Sequence, residues 1–128
     1  MAEWGTQTIY GNAKAENDLS SFRYCFVELS GADQVDLCDG TTDIVFGVLQ
    51  NKPQANEEAT VSIGGITKCR AGSTITAGNE ISTTASGNAT AAGSTSGVRI
   101  VGQALTAAAS GGYFTMRQYN APGLSLDT

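Results

Sequence analysis

Apolar residues along this chain fall into short runs that alternate with polar positions, broken about every 8–12 residues by Gly, Asn, Asp or Pro. Residues 22–29, FRYCFVEL, set Phe22, Tyr24 and Phe26 on one face of an extended segment and Cys25, Val27 and Leu29 on the other. Apolar groups on both faces predict a central strand covered from two sides. In QVDLC (34–38), Val35 and Leu37 point inward and Asp36 outward. DIVFGVL (43–49) is a further buried run, closed by a segment containing Pro53, which cannot donate to a ladder.

ATVSIGG, ITKCRAG and NEISTT then read as short strands separated by Gly-containing turns. GVRIVGQAL places Val98, Ile100 and Ala104 on one face, and GYFTMRQY sets Tyr113, Thr115, Arg117 and Tyr119 opposite Phe114, Met116 and Gln118. This pattern predicts an all-β fold, a small sandwich or barrel of about eight short strands. QALTAAAS (103–110) is rich in alanine, a helix former, but is short, uncapped and bounded by Gly102 and Gly111. It reads as strand, turn, strand.

The stretch STTASGNATAAGSTSG (82–97) has no charge and no large side chain. Between two domains it would be a tether. Only about 31 residues follow Gly97, fewer than the ~40 an unaided domain usually needs. The stretch therefore belongs to a single domain, as a strand pair and loop. Thr83, Thr84, Thr90 and Thr95 suit an exposed strand, and Gly87-Asn88 suits a turn at positive φ. The expected organisation is an N-terminal arm over 1–20, one β-domain over 21–120 with its first core strand at Phe22, and a C-terminal tail over 121–128. The arm is polar apart from Trp4, Ile9 and Tyr10, and aromatic residues in a polar segment are the types that anchor interfaces.

With 128 residues, seven Lys and Arg against twelve Asp and Glu, and a net charge of −5, the chain lacks the clustered cations of a nucleic-acid groove. No window approaches the apolar length of a membrane span, and the N-terminus has no basic-then-apolar leader pattern. The chain contains no histidine, which removes His-based triads and the commonest metal ligand. Cys25, Cys38 and Cys69 lack zinc spacing and read as free, buried thiols. Asp33, Asp36, Asp39 and Asp43 do not match a calcium loop and read as a solvated strand and turn. No phosphate-binding glycine motif is present, and GLSLD near the C-terminus has no histidine partner. The expectation is a protein without catalytic residues, cofactor or metal.

The order of elements over about Ile44 to Arg117 resembles the capsid cement, or head decoration, proteins of tailed bacteriophages. The pieces that carry the likeness are Gly47-Val48, the V-x-I-x-G-like run from Val61 to Gly64, AGSTITAG from Ala71 to Gly78, and GQALTAAASG from Gly102 to Gly111. The resemblance implies a small β-barrel or sandwich that binds the outside of an assembled head, after synthesis in the host cytoplasm, and reinforces it. It implies the major capsid protein as partner and a homo-oligomer, with a trimer favoured, because repeated copies turn modest contacts into avidity. Trp4, Ile9 and Tyr10 would then form a capsid-contact arm, able to add a strand to a capsid sheet edge. Two other classes stay open at this point. One is a carbohydrate-binding module using Tyr113 and Tyr119; the other is a structural subunit of a phage tail or fibre. An enzyme is a distant third.

Overall fold

The computed structural model describes residues 7–40, 44–84, 86–93 and 99–124. Among these residues nine strands lie in one sheet: β1 (Gln7–Ala15), β2 (Phe26–Gly31), β3 (Gln34–Leu37), β4 (Gly47–Leu49), β5 (Glu58–Arg70), β6 (Glu80–Thr83), β7 (Ala89–Ala91), β8 (Arg99–Ala104) and β9 (Tyr113–Leu124). No helix occurs among the described residues.

The sheet order β1-β3-β2-β4-β5-β9-β8-β6-β7 is bent into two barrel-like rings that share β5. The first ring closes because β1 also pairs with β5, from Gln7 opposite Gly65 to Lys14 opposite Glu58. The second closes just beyond β5, where Ala71 bridges Ala89 of β7 and the Gly72 amide donates to the Ala89 carbonyl at 2.7 Å. At 13 residues, β5 is about 40 Å long, enough to serve both rings. Gly65 is the handover point, paired with Gln7 of β1 and Gln118 of β9.

Each ring has its own core. Ala13, Ala15, Leu19, Val27, Val35, Leu49, Ala59 and Val61 cluster in the first. Cys69, Ile75, Ile81, Val101, Ala104, Phe114 and Met116 cluster in the second, with Phe26, Cys38, Val45 and Val48 packed among them. Neighbouring residues of β2 and β4 therefore point into different cores: Phe26 and Val48 into one, Val27 and Leu49 into the other. That is the two-sided burial the sequence predicts for this region, and these strands weld the rings together. The small residues make close approach possible. A Cβ on Gly47 would lie 2.3 Å from the Ser62 carbonyl oxygen of β5.

Five features differ from the sequence reading. The first strand begins at Gln7, ahead of Phe22, because its inward residues Ala13 and Ala15 are too small to register as an apolar pattern. Residues 22–25 form a turn, with the Cys25 amide donating to the Phe22 carbonyl at 3.1 Å and Tyr24 at φ +70°. Gly64-Gly65 does not divide ATVSIGG from ITKCRAG; pairing runs straight through it in β5. Thr83 is fully buried where exposure was expected, since β6 lies between β7 and β8. The segment 82–91 does form a strand pair, with Ser82 opposite Thr90 and Gly87 at φ +77° in its turn. β9 also continues to Leu124, pairing Gly123 with Ile100. After β8, Ala108 and Ile75 exchange backbone hydrogen bonds at 2.8 and 3.0 Å, so the alanines take an extended partner instead of a helix.

Candidate functional site

Of the three anchors expected in the N-terminal segment, Trp4 lies outside the described residues. Ile9 and Tyr10 are consecutive in β1 and so point to opposite faces. Tyr10 turns inward: its ring meets Phe46 edge-on at 5.3 Å and packs on the first core. Its hydroxyl donates to the Asp33 carboxylate. That hydrogen bond, with partial burial and the nearby Asp33 charge, raises the phenol pKa above its ordinary value. Ile9 points outward and is 45% exposed. Ile44, two residues before the Phe46 that Tyr10 packs on, is 69% exposed.

The backbone beside Ile9 is also unfilled on one side. β1 pairs with β5 along its length, but with β3 only at Lys14 and Ala15. From Gln7 to Ala13 its outer edge has no strand partner among the described residues. Register shifts between Thr8 and Ile9 and between Tyr10 and Ala13 twist this edge. An extended segment with a bulged, partly open edge and an outward isoleucine can accept a further strand from a partner.

A second surface feature sits at the far end of β5. Arg70 stands opposite Tyr113 and Lys68 opposite Thr115, so two cations project from one face of the sheet. Tyr24 and Tyr113 meet edge-on, with ring centroids 5.6 Å apart at 78°. The Arg23 guanidinium lies 4.7 Å from the Tyr24 ring centre, and the Lys68 ammonium lies 5.4 Å from it. Reading strands by their apolar faces hid this cluster, because it is assembled from three separate segments. The one signal in the chain was the spacing of Lys68 and Arg70, same-face cations in a sequence with only seven. Tyr113 and Tyr119 do not form one platform. Six residues along β9 separate them by about 20 Å, and Tyr119 is matched instead with the Arg117 guanidinium at 5.1 Å.

The remaining reactive groups are in the cores. Cys25, Cys38 and Cys69 are buried and form no disulfide among the described residues. Burial pushes the Cys69 thiol pKa well up, and burial likewise raises Cys25 against the opposing charge of Arg70. A thiol held protonated is a packing group, not a nucleophile. Among the acidic residues, Asp36 accepts a hydrogen bond from Asn17 at 3.0 Å while Asp33 holds Tyr10, so these two are engaged with different partners.

The fold is similar to the crystal structure of the head fiber gp8.5 N base of bacteriophage phi29, with a TM-score of 0.61 at 19% sequence identity. The match covers 91% of this chain and 97% of that one. Comparison with curated proteins gives no match. Residues 7–118 match the family of phage cement proteins from the start of β1 to the buried Gln118 of β9. That span takes in both rings, and the chain belongs to the phage cement proteins, structural components that bind the phage capsid.

Proposed function

We propose that this protein binds the exterior of an assembled phage head through the open edge of β1, and that this contact stiffens the capsid lattice. The observation that carries the proposal is the outer edge of Gln7–Ala13, without a strand partner among the described residues and flanked by the exposed Ile9. A strand of the major capsid protein added there would pair with backbone and seat a side chain against Ile9. Trp4 supplies a further anchor, and Tyr10 supports the edge from beneath through Phe46 and Asp33. Several copies act together, a homotrimer on a lattice axis being the arrangement that turns one modest contact into avidity. The protein reaches the virion from the host cytoplasm and contributes no catalysis.

A head-fibre base is the second reading, supported by the structural likeness to the phi29 protein across nearly all of its length. Both readings put the domain on the head. A density map of the particle separates them, because a cement protein ends in this domain and a fibre base continues outward.

The docking test is co-sedimentation with heads lacking this protein. Ile9→Asp, and Trp4→Ala with Ile9→Asp, should bind at least about tenfold more weakly than the unaltered chain, as anchor losses of about 2 kcal/mol do. Truncation must stop at residue 6, because Gln7, Thr8, Ile9 and Tyr10 pair with β5 and their removal would unmake the first ring. Full binding by the double variant would place the contact elsewhere.

A further inference from the structure

The cluster at the end of β5 resembles no ordinary solvated surface of an acidic chain. Two of the seven cations, Arg23 and Lys68, lie over tyrosine rings there, and Arg70 stands opposite Tyr113 in the ladder. Tyr24 holds φ +70°, a conformation in which the Cβ of a non-glycine residue is crowded by its own backbone. Strain of that kind persists only where surrounding structure imposes it, and it gathers at functional positions. Here it is imposed from both sides: the Tyr24 amide donates to the Leu49 carbonyl at 2.7 Å, and its carbonyl accepts from the Arg70 amide at 3.0 Å. The effect is to stand the Tyr24 ring against Tyr113, with Lys68 near both rings, 5.4 and 5.9 Å from their centres. Arg23 is fixed as well, its Nε donating to the Gln50 carbonyl at 2.9 Å.

We infer that Arg23, Tyr24, Lys68 and Tyr113 form a second docking point, shaped for a carboxylate-bearing segment of the capsid protein. The inference rests on the capsid-binding reading above. The geometry selects an anion over a sugar. A pyranose needs an open aromatic face, but Arg23 and Lys68 lie over the Tyr24 ring and Lys68 also approaches that of Tyr113. The two rings also cross at 78°, so they offer no flat floor. What the cluster presents instead is fixed positive charge beside a half-exposed tyrosine, 51% exposed at Tyr113. Arginine and lysine held in place recognise carboxylates at lower ordering cost than free side chains do.

The test is binding of the full chain to heads lacking it, measured across a salt series. The unaltered protein should lose affinity as salt rises. Arg23→Gln with Lys68→Gln should bind at least about tenfold more weakly at low salt and show a flattened salt dependence. Tyr113→Ser, an exposed substitution that leaves both cations in place, should weaken binding less and keep the salt slope. Ile9→Asp should weaken binding without flattening the slope. If both patch variants bind like the unaltered protein, the inference is overturned while the capsid reading stands. Failure of the unaltered protein to bind would remove the capsid reading and this inference with it. Loss of host-cell adhesion in patch variants whose head binding is intact would make the cluster a glycan site and overturn the proposal.

Discussion

Gly87, in the turn between β6 and β7, is where the second ring rests on the first. The Phe26 amide of β2 donates to the Gly87 carbonyl at 2.7 Å, tying the hairpin to the opposite ring. In Gly87→Ala two costs add. The backbone is at φ +77°, which charges any L side chain about 1–2 kcal/mol. The new methyl would also lie 2.5 Å from Leu37 Cδ1, 2.8 Å from its Cγ and 3.2 Å from the Phe26 carbonyl oxygen. Such overpacking costs about 1–3 kcal/mol. A central value for the sum is about 3 kcal/mol. Unfolding entropy of about 2.1 cal/mol/K per residue, over 128 residues, converts each kcal/mol into about 4 °C, so the melting temperature should fall by about 12 °C. Gly78→Ala supplies the control. Its φ is +95°, but a Cβ there meets nothing within 4 Å, so only the backbone cost remains and the fall should be about half as large. Thermal melts of the three proteins by circular dichroism decide the matter. Equal falls for the two variants would refute the contact between hairpin and first ring as a source of stability.

Two further outcomes follow from the cores and from Tyr10. Cys25, Cys38 and Cys69 should react with a thiol reagent only after denaturation, since all three are buried out of reach and burial also holds Cys25 and Cys69 protonated; rapid labelling of the native protein would contradict their placement. The Tyr10 phenol, raised by its bond to Asp33, should ionise later than an ordinary tyrosine, whose pKa is about 10. A raised folded-state pKa means that the contribution of this contact is complete below the unfolded value and is lost as pH climbs through the folded one. Ultraviolet titration of the protein against Tyr10→Phe should show a late component missing from the variant. A missing component at or below the ordinary value would remove the Tyr10–Asp33 contact from the account.

How much of this was legible in the sequence depended on side-chain size. The strands with large apolar residues announced themselves; alternation separated the two faces of β9, and the structure turns Phe114, Met116 and Gln118 inward. The bland stretch 82–91 was readable as a hairpin because Gly87-Asn88 needs a turn and no second domain could follow. β1 was not readable as a core strand, since Ala13 and Ala15 bury completely yet carry no more apolar signal than a loop. β5 was read as two pieces because Gly64-Gly65 is ordinarily a turn, whereas here its bareness lets β1 and β9 meet at one residue. The cluster at Tyr24 could not be read at all from local pattern. Arg23 and Tyr24 come from a turn, Lys68 from β5 and Tyr113 from β9, and they meet only through the β5–β9 ladder and the Arg70 amide's bond to the Tyr24 carbonyl.

The shared strand gives a physical reason for two proposed contacts on so small a protein. Ile9 stands opposite Ser62 of β5, and Lys68 lies six residues further along the same strand, about 20 Å away. Because Ile9 is paired in register with the continuous strand that carries Lys68, their spacing is set by that strand and its ladder and not by the packing of separate units. Ser62 sharpens that rigidity: its hydroxyl donates to Gln118 Oε1 at 3.0 Å, while Gln118 Nε2 donates to the Ser62 carbonyl at 2.8 Å, locking β9 to β5 at the junction of the rings. Both groups are buried, so breaking the pair would leave unsatisfied polar atoms in the seam. A rigid span raises the effective concentration of the second contact once the first has formed, provided that the capsid presents its sites at the same spacing. A flexible linker would satisfy many spacings and resist none. For a protein whose task is to hold lattice subunits against displacement, the stiff span is the more useful device, because any change in subunit spacing must then break one of its contacts.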